Sequence, residues 1–123
     1  MIQSSNNKIC LKIFDIIKAE CNARSIDKAQ LNGDIFEQAD LHETETYKAV
    51  FEKVEMLHKA GIEVVINVGN HDVVSMDGEK PIHCLTPFRR VARVIDVPTV
   101  VWGKILVIPW VPSPKTLLQA IKP

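Results

Sequence analysis

The sequence predicts an α/β domain built on parallel strands, and three observations carry that expectation. From Ile62 to Val68, six of seven residues are Ile, Val or Asn, and every apolar one is β-branched. Such side chains are stiff at χ1 and pack well on a pleated surface, so this run reads as a short buried strand covered on both faces. Ahead of it, Tyr47, Val50, Phe51, Val54 and Leu57 recur at i, i+3, i+4, i+7 and i+10, the period of an amphipathic helix. Before that helix, Ala29-Gln30-Leu31-Asn32 is short enough for a second strand. Both strands stop at a glycine followed by polar side chains, Gly33-Asp34 and Gly69-Asn70-His71-Asp72. A strand-helix-strand unit with a right-handed crossover sets its two strands parallel, so positions 34 and 70 emerge on one edge of the sheet.

The remaining elements follow in chain order. Ile9, Cys10, Ile13, Phe14, Ile17 and Cys21 recur at helical spacing and predict a helix over 7–22 with a broad buried stripe, N-capped by Ser5 or Asn6. Ser25 to Lys28 is a polar connection. Asp40-Leu41-His42-Glu43 has the spacing of a capping box for the second helix, Glu55 and Lys59 form an i, i+4 pair on it, and Gly61 stands at the C′ position. Val73 to Pro81, with Asp77-Gly78, reads as a polar loop, and Pro81 to Arg90 as a short helix interrupted near Pro87. Val91–Ile95, Thr99–Trp102 and Lys104–Trp110 read as strands, the last two joined as a hairpin at Gly103 that adds an antiparallel portion to the sheet. Ser113-Pro114 opens a final helix.

Composition narrows the function classes. The 123 residues make one domain, 46% apolar and 24% charged, with fifteen basic residues balancing fifteen acidic ones. No global field recruits nucleic acid or an anionic membrane, and there is no apolar run of membrane-spanning length. Cys10, Cys21 and Cys84 are odd in number and lack CxxC spacing, so they read as reduced, buried thiols of a cytoplasmic protein. Arg89, Arg90, Arg93 and Lys104 read as a solvated face, with contact to a DNA backbone as the alternative.

The carboxyl ends of strands are where open α/β sheets bind ligands. An amide, an imidazole and a carboxylate on one turn can ligate a metal, donate to an oxyanion and orient the donor. The plainer alternative is an ordinary strand-ending turn, since Gly, Asn and Asp favour turns for local reasons. His58, in the last turn of the second helix, suits the helix dipole, and His42 belongs to its capping segment. A surface or core role is favoured for His83 over metal ligation.

With Gly33-Asp34 and Gly69-Asn70-His71-Asp72 placed, the chain resembles the calcineurin-like metallophosphoesterases from about Asn7 to Ile121. Gly33-Asp34-Ile35-Phe36-Glu37 and Ile108-Pro109-Trp110 look most like the nuclease subunits of bacterial and phage DNA double-strand-break repair exonucleases. The resemblance implies an α/β/β/α sandwich, a site for two divalent ions (Mn²⁺ first, with Zn²⁺, Fe or Mg²⁺ as alternatives) and hydrolysis of DNA phosphodiester bonds. It implies that Asp34 bridges the ions, that Asn70 ligates the second, that His71 contacts the scissile phosphate or leaving oxygen, and that Asp72 holds the His71 ring. An ATPase subunit is the implied partner if the repair-nuclease branch holds. Family members also carry an initial strand ending in Asp-x-His and a later Gly-His-x-His; here no Asp-x-His precedes Asp34 and no Gly-His-x-His follows Trp110. Residues 1–123 are therefore expected to be one incomplete domain, lacking the first strand and the C-terminal part. Alone, this piece is expected to hold two ions poorly and to expose an unpaired apolar sheet edge that favours self-association. Two alternatives stand beside the nuclease: a phosphatase or phosphodiesterase of small substrates, and an inactive phosphoesterase-fold binding subunit.

Overall fold

The computed structural model describes residues 7–33, 35, 44–77, 80–111 and 118. Along them run α1 (Asn7–Arg24), β1 (Lys28–Asn32), α2 (Thr44–Lys59), β2 (Glu63–Asn67), β3 (Val73–Asp77), β4 (Lys80–His83), β5 (Arg93–Ile95), β6 (Thr99–Val101) and β7 (Ile105–Val107). Helices and strands are mixed, as an α/β chain requires. β1, β2 and β5 form a parallel sheet in the order β1-β2-β5, with Asn32 opposite Asn67 and Asn67 opposite Ile95. The expected side-by-side, same-direction strands are therefore present.

The β-branched run of β2 is buried on both faces, and the pleat decides which face each residue serves. Val64 and Ile66 join Phe14 and Cys21 of α1 and Val50, Val54 and Leu57 of α2 in the larger core. Val65 points the other way and packs with Ile95, Val101, Val107 and Trp102. The parallel sheet thus lies between a helical layer and the β6–β7 hairpin. Full burial of side chains such as Val54 and Leu57 contributes roughly 1.5–3 kcal/mol each. Phe88 seals the helical side, its ring edge-on to Tyr47 and Phe51 with both centroids 5.4 Å away. Lys53 of α2 reaches Asp15 of α1 at 2.9 Å, and Glu55 and Lys59 pair at 3.6 Å as the sequence suggested.

Both helices stop in the same way. The Ile62 N–H donates to Leu57 O and the Gly61 N–H to His58 O, each at 3.0 Å, with Gly61 left-handed at φ +83°. These paired bonds close the last turn as the C′ glycine predicts. At the end of α1, Ile26 N–H donates to Cys21 O at 2.8 Å, but the left-handed residue is Ser25, φ +56°. An L-residue pays about 1–2 kcal/mol there, offset in part by the extra freedom glycine gains on unfolding. Ser25→Gly should therefore raise stability by about 0.5–1 kcal/mol in urea denaturation. A loss of stability would mean the Ser25 side chain carries an interaction that outweighs the strain.

Several expectations need correction. Residues 73–77 and 80–81, expected in a polar loop, are strand: β3 and β4 pair antiparallel, Val73 opposite His83 and Asp77 opposite Lys80, with the register shifting between Val73 and Ser75. Backbone ladder bonds hold such a hairpin even where its side chains are polar. Ile13 is not in the buried stripe but 53% exposed, because it lies about 100° around α1 from Phe14, outside the narrow face turned to α2. Pro87 opens the 3₁₀ turn Thr86–Arg90 rather than interrupting a helix, since a missing N–H costs nothing in a first turn. β6 and β7 pair as foreseen, Val101 opposite Ile105, but as a separate two-stranded sheet packed on the parallel one. β5 begins at Arg93, two residues later than expected.

Among the described strands β1 and β5 are the edges. One face of β1 presents exposed Lys28, Gln30 and Asn32, so that edge is not wholly apolar. On β5, Arg89 Nη1 donates to Val94 O at 3.0 Å and occupies an edge carbonyl. The N-cap Ser5 or Asn6, the capping box of residues 40–43 with His42, the Gly78 turn and the Ser113-Pro114 helix start lie outside the described residues.

Candidate functional site at the carboxyl edge of the parallel strands

β2 does not end freely. Beyond Asn67, Val68 N–H donates to Ile95 O at 3.0 Å and Trp110 N–H donates to Val68 O at 2.8 Å. Gly69 is extended, φ −98° and ψ 173°, and opens the 3₁₀ turn Asn70–Asp72. Asp72 is fully buried, and its Oδ2 accepts the Gly69 N–H at 3.0 Å while its own N–H donates to Gly69 O at 3.1 Å. Val73 N–H closes the turn on Asn70 O. The carboxylate thus works from beneath the turn, and the side chains of Asn70 and His71 are left exposed above it.

A second brace comes from the helical layer. Cys84 N–H donates to Asp72 O at 3.0 Å, and Tyr47 Oη–H of α2 donates to Cys84 O at 2.7 Å. Burial and the nearby Asp72 carboxylate push the Cys84 thiol up to about 12. Burial, with Cys84 second, lifts the Tyr47 phenol to about 12 as well. Cys84 is therefore a protonated thiol at neutral pH, unsuited to serve as nucleophile or thiolate ligand. Both raised values favour the folded state below pH 9, and that advantage is lost as pH climbs from there toward 12.

The two glycine-ended strands meet. Gly33 has φ +54°, and a Cβ built on it would fall 2.8 Å from Gly69 Cα, 2.9 Å from Gly69 N and 3.1 Å from Asn67 O. Only a residue without a side chain lets these backbones approach so closely. Asp34, the partner expected for Asn70, lies outside the described residues.

Two features escaped the sequence reading. Among the described residues Asn67 Oδ1 is buried without a hydrogen-bond partner, on the face of β2 that alternation shares with Val65, at this same edge. The other is a buried network: Leu85 N–H donates to His83 Nδ1 at 3.1 Å, which places the ring proton on Nε2, 3.1 Å from Asp96 Oδ2. Arg89 Nη2 donates to the same oxygen at 2.8 Å. His83 thus has a core role, and Asp96 follows β5 just as the site turn follows β2. The signal was present, since Val94-Ile95-Asp96 is a third apolar strand delivering a polar residue to the carboxyl edge.

The basic residues divide. Arg89 is committed to Val94 O and Asp96. Arg90 and Arg93 face a cleft at the opposite end of the strands, and Lys104 lies in the β6–β7 turn. Cys21 is a buried free thiol and Cys84 a half-buried one, while the side chain of Cys10 lies outside the described residues. Among the described residues no three His, Cys, Asp or Glu side chains are grouped to hold a metal ion, and no helix is long and apolar enough to cross a membrane. No family model matches the chain, and comparison with characterised proteins gave no significant match.

Proposed function

We propose that this chain is part of a metal-dependent phosphoester hydrolase of the calcineurin-like kind, with DNA phosphodiester bonds as substrate. One observation carries the reading: Gly33 lies backbone to backbone against Gly69, so two polar strand ends arise from a single point on the carboxyl edge. The donor chemistry agrees. Asn70 offers a neutral amide oxygen and His71 an imidazole, both exposed, over the buried Asp72 carboxylate, whose charge favours a cation nearby. On this reading Asp34 and Asn70 would hold the ions, which would supply Lewis-acid chemistry for the attack of water on the phosphoester. His71 donates to the oxygen that gains charge at the scissile bond, a contribution of roughly 2–4 kcal/mol for a fixed donor. Asp72 braces the turn by accepting the Gly69 N–H, which fixes the backbone that carries Asn70 and His71.

The metal half of this proposal is tested on the chain itself. Paramagnetic Mn²⁺ at substoichiometric concentration should broaden the amide signals of Gly33, Asn70 and His71 before others. Asn70→Ala should weaken that effect by at least about tenfold, the low end of what outer partners of a ligand contribute. Broadening centred elsewhere, or unchanged in Asn70→Ala, would remove the reading. The hydrolytic half needs a protein that also carries Asp-x-His and Gly-His-x-His. There His71→Ala should lower Mn²⁺-dependent DNA cleavage about 10²-fold, with DNA preferred over a small aryl phosphodiester.

A further inference from the structure

At the amino-terminal ends of the parallel strands, far from Asn70, a cleft of about 200 Å³ is lined in part by His58, Glu63, Arg89, Arg90 and Arg93. Glu63 is the first residue of β2 and Arg93 the first of β5, so the cleft and the candidate metal site occupy opposite edges of one sheet. Along β2 the two edges are ~13 Å apart at 3.3 Å per residue. The guanidinium groups here are not equivalent. Arg89 is fixed by its bonds to Val94 O and Asp96 and forms a rigid wall. Arg90 and Arg93 are exposed, and neither guanidinium makes a hydrogen bond or ion pair among the described residues, although Glu63 lines the same cleft.

Two guanidinium groups held at one cleft repel each other, and a shared counter-anion relieves that cost. The anion that suits them is a phosphate, whose oxygens match the planar N–H fork of arginine. Room is sufficient, since the cleft holds several times the ~30 Å³ share of one water. Opposing features are also present: the Glu63 carboxylate and the last carbonyls of α2 beside His58 lower the potential. They leave a site weak for a lone anion, and useful chiefly for one phosphate within a polymer whose other phosphates are held elsewhere. We propose that this cleft docks a backbone phosphate of DNA through Arg90 and Arg93. The choice of DNA as the polymer rests on the hydrolytic reading, whereas the cleft uses none of that site's residues.

The test is run with the full chain in EDTA, so that failure of the metal site cannot be confused with failure of the cleft. Binding of a fluorescently labelled single-stranded DNA is followed by anisotropy across a salt series, alongside amide NMR titration with inorganic phosphate. DNA should bind at low salt and shift the Ala92 and Arg93 amides. The double variant Arg90→Ala/Arg93→Ala should weaken binding about fivefold or more and reduce the log–log salt slope by about 0.7–1, the loss of one phosphate contact. Arg90→Lys/Arg93→Lys should keep most of the slope, and Glu63→Gln should tighten binding. These side chains are exposed, so an unchanged melting temperature is expected to accompany the lost binding. The proposal falls if wild type fails to bind DNA at low salt, or if the double variant keeps the full slope. It falls equally if inorganic phosphate saturates the cleft amides while DNA leaves them unmoved.

Discussion

Gly33→Ala is expected to lower the unfolding free energy by about 2–4 kcal/mol, more than the same substitution at Gly61 or Gly103. Two costs combine. Position 33 is left-handed, φ +54°, which alone strains an L-residue by about 1–2 kcal/mol. The new methyl would also stand 2.8 Å from Gly69 Cα and 2.9 Å from Gly69 N, backbone atoms that cannot rotate aside. To make room, the ends of β1 and β2 must separate, and the register that sets Asn32 beside Asn67 must give. Gly61→Ala and Gly103→Ala are the controls, since both positions have positive φ but nothing within 4 Å of an added Cβ. Their losses should stay near the strain term alone. Equal losses for all three in urea denaturation would show that the strand ends are not in contact. The same variant should abolish Mn²⁺-induced broadening at Asn70 even where enough folded protein remains, because the proposed site depends on that contact.

Asp96→Ala should cost about 2–4 kcal/mol, because it strips a buried anion from two donors at once. Asp96 Oδ2 accepts from His83 Nε2 at 3.1 Å and from Arg89 Nη2 at 2.8 Å. Without it the His83 N–H stays buried and unsatisfied, while Arg89, half in solvent, recovers water. The His83 penalty should therefore dominate. Asp96→Asn should recover part of the loss, since an amide oxygen still accepts from Nε2. A double-mutant cycle with His83→Ala separates the terms, and a coupling of about 1 kcal/mol or more is expected for groups in direct contact. Additive losses would mean that His83 and Asp96 stabilise independently. Because Val73 lies opposite His83, the network also ties β5 to the strand that leaves the site turn.

Which residues form the helices and the parallel strands was legible because each pattern repeats a local period. Val50, Val54 and Leu57 are buried as their spacing required, and the β-branched run of β2 is covered on both sides. The β3–β4 hairpin was not legible from the same criterion, since cross-strand pairing rather than a repeating apolar period defines it. His83 looked unremarkable for a related reason: its partner Asp96 lies thirteen residues away and meets it only after β4 and β5 are placed.

For the candidate site, local chemistry named Asn70, His71 and Asp72 and the glycine that follows each strand, because turns and caps are written in neighbouring residues. Tertiary structure alone decided that Asp72 is buried beneath the turn while Asn70 and His71 face outward, that Gly33 rests on Gly69, and that Arg90 and Arg93 gather at the far edge. Those outcomes depend on which backbones pass within contact distance, and contacts between residues distant in sequence follow from packing the whole sheet rather than from any segment's own preferences.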